Sequence, residues 1–169
     1  MDIFVIGLNS VEDIPAQMLL EYKKRDITDG RRLNQHCLSY LMIDRVLREF
    51  YQIEDREIAF EGAKPYLKSN EKYFSLSHSG DFVALAFSDV PCGIDIEKKK
   101  DRDYKAIAKR LKFDVDTEEE FYKEWTKYEA EYKLGSKSNS SKTYLLGEYF
   151  LTVVSLKVNE ECELYFQSN

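Results

Sequence analysis

The sequence predicts an α+β fold, on three observations. Residues 31–51 and 117–135 repeat apolar side chains at helical spacing. Short extended segments rich in Ile, Val and Phe cluster between 57 and 97 and return after 143. Gly80-Asp81-Phe82 followed by Val83–Ser88 is echoed by Gly147-Glu148-Tyr149 followed by Phe150–Ser155, the pattern of a pseudo-twofold chain of two similar α+β lobes, each a small antiparallel sheet packed with helices. On this division residues 1–90 form an N-terminal lobe and residues 91–169 a trimmed C-terminal one.

The elements follow in order. Residues 2–8, rich in Ile, Phe and Val, predict a buried strand. Asp13 and Pro15 open a helix over Val11–Lys24, with proline in the first turn where its missing N–H is harmless. Asp29-Gly30 breaks the chain. The series Leu33, Cys37, Leu41 and Leu38, Met42, Val46 predict a longer helix over Arg31–Tyr51, packed on more than one side. Strands are expected at Ile58–Phe60, Tyr73–Ser77 and Phe82–Ser88, separated by Gly62, Pro65, Ser69-Asn70 and Gly80-Asp81, and another at Gly93–Glu97. Tyr104, Ile107, Ala108 and Leu111 mark a short amphipathic helix. Thr117-Glu118-Glu119-Glu120 has the spacing of a capping box, and Gly135 ends the helix it starts. A polar, flexible loop over Ser136–Ser141 leads to strands near Thr143–Leu146 and Tyr149–Val158. The terminal Leu164–Asn169 looks like the remnant of a protease-cleavable tag, although Cys162-Glu163 does not fit such a site and a native end is the alternative.

Composition excludes several classes of function. The chain has 169 residues and a net charge of −6, so it lacks the basic footprint of a general nucleic-acid binder. Its longest apolar run, Phe82–Phe87, is far shorter than the ~18 residues of a membrane span. No basic region precedes the apolar N-terminus, so a cytoplasmic location is expected, with no membrane partner. Cys37, Cys92 and Cys162 form no CxxC pair and are expected to be reduced.

Three motifs carry chemistry. In Gly93-Ile94-Asp95-Ile96-Glu97 the period of a strand puts both carboxylates on one face, a donor set for a hard cation; the same alternation also suits a solvent-facing strand end. Ser77-His78-Ser79-Gly80 gathers small donors beside a glycine, suited to a phosphate or to a polar turn. Along residues 121–133, Glu129 falls on a stripe with Tyr122, Trp125 and Tyr132, where a carboxylate needs a partner such as Lys133 or a metal.

Together, Gly62-x-Lys64-Pro65, Phe74–Ser79, Gly93–Glu97 and Trp125-Thr126-x-x-Glu129-Ala130-x-x-Lys133, in that order, resemble the 4′-phosphopantetheinyl transferases, specifically the monomeric, two-lobed surfactin-synthetase-activator type. The resemblance runs from about Arg31 to Ser155 and implies the two-lobed 4′-phosphopantetheinyl transferase fold. It implies transfer of phosphopantetheine from coenzyme A to a serine of an acyl or peptidyl carrier protein, releasing adenosine 3′,5′-bisphosphate. By the same resemblance Asp95, Glu97 and Glu129 would hold Mg²⁺, with Mn²⁺ as an alternative. Glu129 would help deprotonate the serine, and Lys133 would stabilise the leaving phosphate. Ser77 and His78 would hold the 3′-phosphate of coenzyme A, with Lys64 and Pro65 near its adenosine end and Arg31 or Arg32 adding a phosphate contact. The protein is expected to be a monomer. Lys105, Lys109, Arg110 and Lys112 are the candidates for docking an acidic carrier protein.

The chain departs from the family pattern in three places. Tyr128 stands where many members have a lysine beside Glu129. The segment between Glu97 and Phe121 is short, and the chain after Gly135 leaves room for barely three strands. These departures motivate an alternative, a relative that binds coenzyme A or a carrier protein without turnover; a structural protein with no ligand is a second.

Overall fold

The computed structural model describes residues 1–10 and 30–167, so the helix expected over Val11–Lys24 lies outside the described residues. Strand β1 (Asp2–Gly7) is followed by a short 3₁₀ turn. Helix α1 (Gly30–Arg45) passes directly into a wide π turn (Val46–Phe50), so the long helix expected to Tyr51 changes its winding at Val46. Then come β2 (Ile58–Glu61), β3 (Lys64–Leu67), β4 (Tyr73–Ser79), β5 (Phe82–Ser88) and β6 (Cys92–Lys98). Helices α2 (Tyr104–Leu111) and α3 (Glu118–Leu134) precede β7 (Ser140–Leu146), β8 (Tyr149–Ser155) and β9 (Glu163–Gln167).

The strands form one sheet in the order β4-β5-β1-β9, a second in the order β6-β8-β7, and a β2-β3 hairpin. Alternation along β5 explains the layering. Val83, Leu85 and Phe87 join Leu38, Ile43 and Leu47 of α1 and its π turn in one core. Ala84 and Ala86 face the opposite way and pack with Ile3, Val5, Ile94, Ile96, Leu151 and Val153 between the two sheets. A strand buried on both faces needs no polar residue, which accounts for the unbroken apolar run at its start. Helix α3 covers the outer face of the second sheet. Tyr122 stacks on Phe150 with ring centroids 5.3 Å apart, Ala130 and Leu134 meet Val154, and Thr126 Oγ1 shares a 2.7 Å hydrogen bond with Thr152 Oγ1. The result is helix, sheet, sheet, helix. None of the described helices is long and apolar enough to cross a membrane.

Both ends of α3 are fixed as expected. Thr117 Oγ1 accepts from the Glu120 amide while the Glu120 carboxylate accepts from the Thr117 amide, and Gly135 ends the helix at φ 88°.

Three expectations need correcting, and one strand was not foreseen. Pro65, expected in a break between strands, lies on β3, and proline is tolerated there because both strands of a two-stranded hairpin are edge strands. Strand β9 falls within the C-terminal segment and pairs parallel with β1, Asp2 opposite Glu163, a pairing that does not bear on where that segment comes from. Strand β8 stops at Ser155, short of Val158. The loop expected at 136–141 is shorter and tied down: Ser140 and Ser141 already belong to β7, and the buried Glu131 carboxylate accepts from Lys137 Nζ (2.7 Å), Ser138 N (3.2 Å) and Ser138 Oγ (2.9 Å).

Glu131 makes a testable contribution to stability. Burial would raise its pKa, but the Lys137 ammonium and the Ser138 donors outweigh it and hold the carboxyl below the ordinary value of 4.5. A depressed carboxyl stabilises the fold above the unfolded pKa and loses that contribution as pH falls through the folded one. Glu131→Gln is therefore expected to cost about 1–3 kcal/mol near neutral pH, read by urea unfolding. The difference from the native protein should shrink below pH 4.5.

The internal echo corresponds to two hairpins with one turn geometry. Ser79 pairs with Phe82 and Leu146 with Tyr149 across two-residue loops, and Gly80 and Gly147 lead them at φ 55° and 61°. Glycine first with positive φ is the signature of turns whose twist matches the strands they join.

Candidate active site

Strand β4 from the first sheet lies alongside β6 from the second, and a row of serines joins them. The period of two places Ser75, Ser77 and Ser79 on one face of β4. Ser75 Oγ accepts from Ile94 N (3.2 Å), Ser77 Oγ donates to Asp95 Oδ1 (2.7 Å), and Ser79 Oγ accepts from Lys98 N (3.0 Å) and donates to Glu97 Oε2 (3.1 Å). Side chains thus do at this junction what a backbone ladder does within a sheet.

Helix α3 closes the junction from the other side. Lys133 Nζ donates to Asp95 Oδ1 (2.8 Å) and to Ile94 O (2.9 Å), and Glu129, half-buried, lies one turn earlier. Asp95 is 6% exposed, and burial, reinforced by Glu97, raises its carboxyl above 3.8 against the opposing pull of Lys133 and Ser77. Burial also raises Glu129 above 4.5, and the nearby Asp95 and Glu97 charges add to the effect. The structure therefore brings Asp95, Glu97, Glu129 and Lys133 into one electrostatic unit.

This donor set fits a hard divalent cation. Asp95 Oδ2 is buried with no hydrogen-bond partner, an arrangement that costs free energy unless a ligand meets it. The mutual repulsion of the carboxylates would be relieved by positive charge. Among the described residues no three acidic, imidazole or thiol side chains already stand as a ready-made cage. Mg²⁺ does not require one, because it usually keeps several waters and takes substrate phosphates as ligands.

The other expected residues surround this unit. Lys64 and Pro65 line a cavity of about 530 Å³ together with Phe74, Leu76, Tyr132 and Lys133, so Lys133 links that cavity to Asp95. His78 is exposed at the end of β4; crowding by the surrounding protein, then the Lys133 and Arg32 charges, hold its pKa below 6.5. Arg32 is thus within electrostatic range of His78. Arg31 instead pairs with Asp81 at the tip of the β4–β5 hairpin, while Gln35 Nε2 donates to Gly80 O (2.9 Å) and docks α1 on the same turn. Ser77, expected on a phosphate, spends its proton on Asp95. Tyr128 packs edge-on against Phe113 with centroids 5.7 Å apart, a packing role on the α3 surface. Ser79 and Tyr132 were named within motifs but given no role of their own; Ser79 bonds Glu97 and Tyr132 lines the cavity, and the Ser-x-Ser-x-Ser period on β4 was the available signal for Ser79.

Known proteins resemble the chain over part of its length. No family model matches the chain. Over 129 residues it is 34% identical to the 4′-phosphopantetheinyl transferase psf-1 of Bacillus pumilus, a match covering 66% of this chain and 54% of that protein. Over 67 residues it is 37% identical to the 4′-phosphopantetheinyl transferase Sfp of Bacillus subtilis strain 168, covering 37% of this chain and 30% of that protein. The chain spans about half the length of the first of these relatives. Identity at this level makes the chain a homologue of the Sfp-type 4′-phosphopantetheinyl transferases.

Proposed function

We propose that this chain transfers 4′-phosphopantetheine from coenzyme A to a serine of an acyl or peptidyl carrier protein. The observation that carries the reading is Asp95: buried, held on one oxygen by Ser77 and Lys133, and without a partner on the other. Asp95, Glu97 and Glu129 are the residues that would hold Mg²⁺ or Mn²⁺. Bound there, the cation would neutralise pyrophosphate charge, the main demand of phosphoryl transfer.

In this reading Glu129 takes the proton of the carrier serine, a role suited to a carboxyl raised toward working pH. A bond forms from the serine oxygen to the phosphorus carrying pantetheine. The bond from that phosphorus to the bridging oxygen breaks, and adenosine 3′,5′-bisphosphate leaves with the electron pair. Lys133 meets the charge that develops on the leaving phosphate. Lys64 and Pro65 receive the adenosine end in their cavity, while His78, with Arg32 nearby, faces the 3′-phosphate. Lys105, Lys109, Arg110 and Lys112, all exposed on or just after α2, supply the basic surface for an acidic carrier. The same reading makes the protein a cytoplasmic monomer of two pseudo-twofold lobes, 1–90 and 91–169; the paired hairpins support the duplication.

Intact-mass analysis of apo carrier proteins incubated with this chain, coenzyme A and Mg²⁺ tests it. A phosphopantetheine-sized gain abolished by EDTA is expected. Binding of coenzyme A with no gain on any carrier would favour the relative without turnover.

A further inference from the structure

We propose that Ser79 is a positioning residue whose hydroxyl fixes the Glu97 carboxylate in the orientation that receives a divalent cation. The inference rests on the reading of Asp95, Glu97 and Glu129 as cation ligands. A serine hydroxyl has one proton to give. Ser79 Oγ accepts from the Lys98 amide at 3.0 Å, so its lone pairs are engaged on the backbone side and its proton points to Glu97 Oε2 at 3.1 Å. Ser79 is 6% exposed, so solvent does not compete freely for its hydroxyl. Glu97 has the longer, more flexible side chain of the two acidic residues on β6, and among the described residues Ser79 is the one hydrogen-bond partner of its carboxylate. Asp95, by contrast, is held by Ser77 and Lys133. One serine row therefore orients both β6 carboxylates, Ser77 for Asp95 and Ser79 for Glu97. Partners of this kind, which hold a ligand without touching the metal, are typically worth 10–100-fold in metal affinity.

Ser75 supplies the control. It occupies the same row and accepts from the Ile94 amide, but among the described residues hydrogen-bonds no carboxylate. The experiment titrates the full chain, with coenzyme A present and absent, with Mn²⁺ alone as the probe, counting free ion by electron paramagnetic resonance. Ser79→Ala is expected to weaken Mn²⁺ binding by about 10-fold or more, while Ser75→Ala leaves it unchanged and Ser79→Thr, which keeps the hydroxyl, restores most of it. In the Glu97→Gln background Ser79→Ala should add little further loss, because the two act through one contact. Urea unfolding of each variant checks that it folds; should Ser79→Ala not fold, Ser79→Thr and Glu97→Gln still decide, since Ser79→Thr must bind like the native chain and Glu97→Gln must lose affinity. Equal Mn²⁺ affinity of Ser79→Ala and the native chain, or equal losses in Ser79→Ala and Ser75→Ala, would overturn the positioning role alone. No Mn²⁺ binding by the native chain would overturn the cation reading and this inference with it.

Discussion

Asp95→Asn is expected to lower phosphopantetheine transfer by about 10²–10³-fold or more while the protein stays folded. The amide keeps the shape of the carboxylate and can still accept from Ser77 and Lys133, so the β4–β6 junction persists; what it loses is the charge needed at the unpartnered Oδ2. Stability should move the other way. Burial raises the native pKa of Asp95, so the folded chain binds that proton more tightly than the unfolded chain does. Its contribution is then most favourable below 3.8 and falls as pH rises through the raised pKa, leaving the ionised carboxylate as a liability at neutral pH. The variant lacks this term. Its urea midpoint at pH 7 should equal or exceed that of the native protein, and the gap should close on acidification. An Asp95→Asn protein with native transfer would remove Asp95 from the site, and one that unfolds at neutral pH would make its role structural.

The ends of α3 and the sheet elements on either side of it were legible because local chemistry decides them. Thr117 and Glu120 satisfy each other's amides within one turn of chain, and no tertiary contact can easily override that. The carboxylate pair Asp95 and Glu97 was legible for a similar reason, the period of a strand. Strand β3 was not, because Pro65 argues against a strand wherever its position on an edge is unknown, and only the pairing of Ile58 with Leu67 supplies that position. The structured turn after α3 escaped notice because residues 136–139 look solvated; Glu131, a residue of the helix before it, organises them. The destination of Ser77 was likewise hidden. Whether a strand-end serine faces a phosphate or a carboxylate depends on which strand lies beside it, and β6 belongs to a different sheet.

That junction depends on a residue with no side chain. Gly93 sits in β6 beneath α3, and a Cβ placed there would overlap the Ala130 carbonyl oxygen and come within 3.0 Å of both the Ala130 carbonyl carbon and Val154 Cγ2. Glycine is needed here for close approach; its φ is not in the left-handed region. The obstructing atoms on the helix are backbone, so relief requires α3 to move as a body. Gly93→Ala is expected to destabilise the protein by about 1–3 kcal/mol, read as a lowered urea midpoint. It should also cut transfer by about 10²-fold, because Glu129 precedes Ala130 and Lys133 follows within one turn, so displacing the helix carries both away from Asp95. Ala130→Gly tests the cause. It removes a methyl group but leaves the carbonyl in place, so the Gly93→Ala, Ala130→Gly double variant should remain as impaired as Gly93→Ala; recovery would show that side-chain crowding, and not helix approach, sets the position of Glu129 and Lys133.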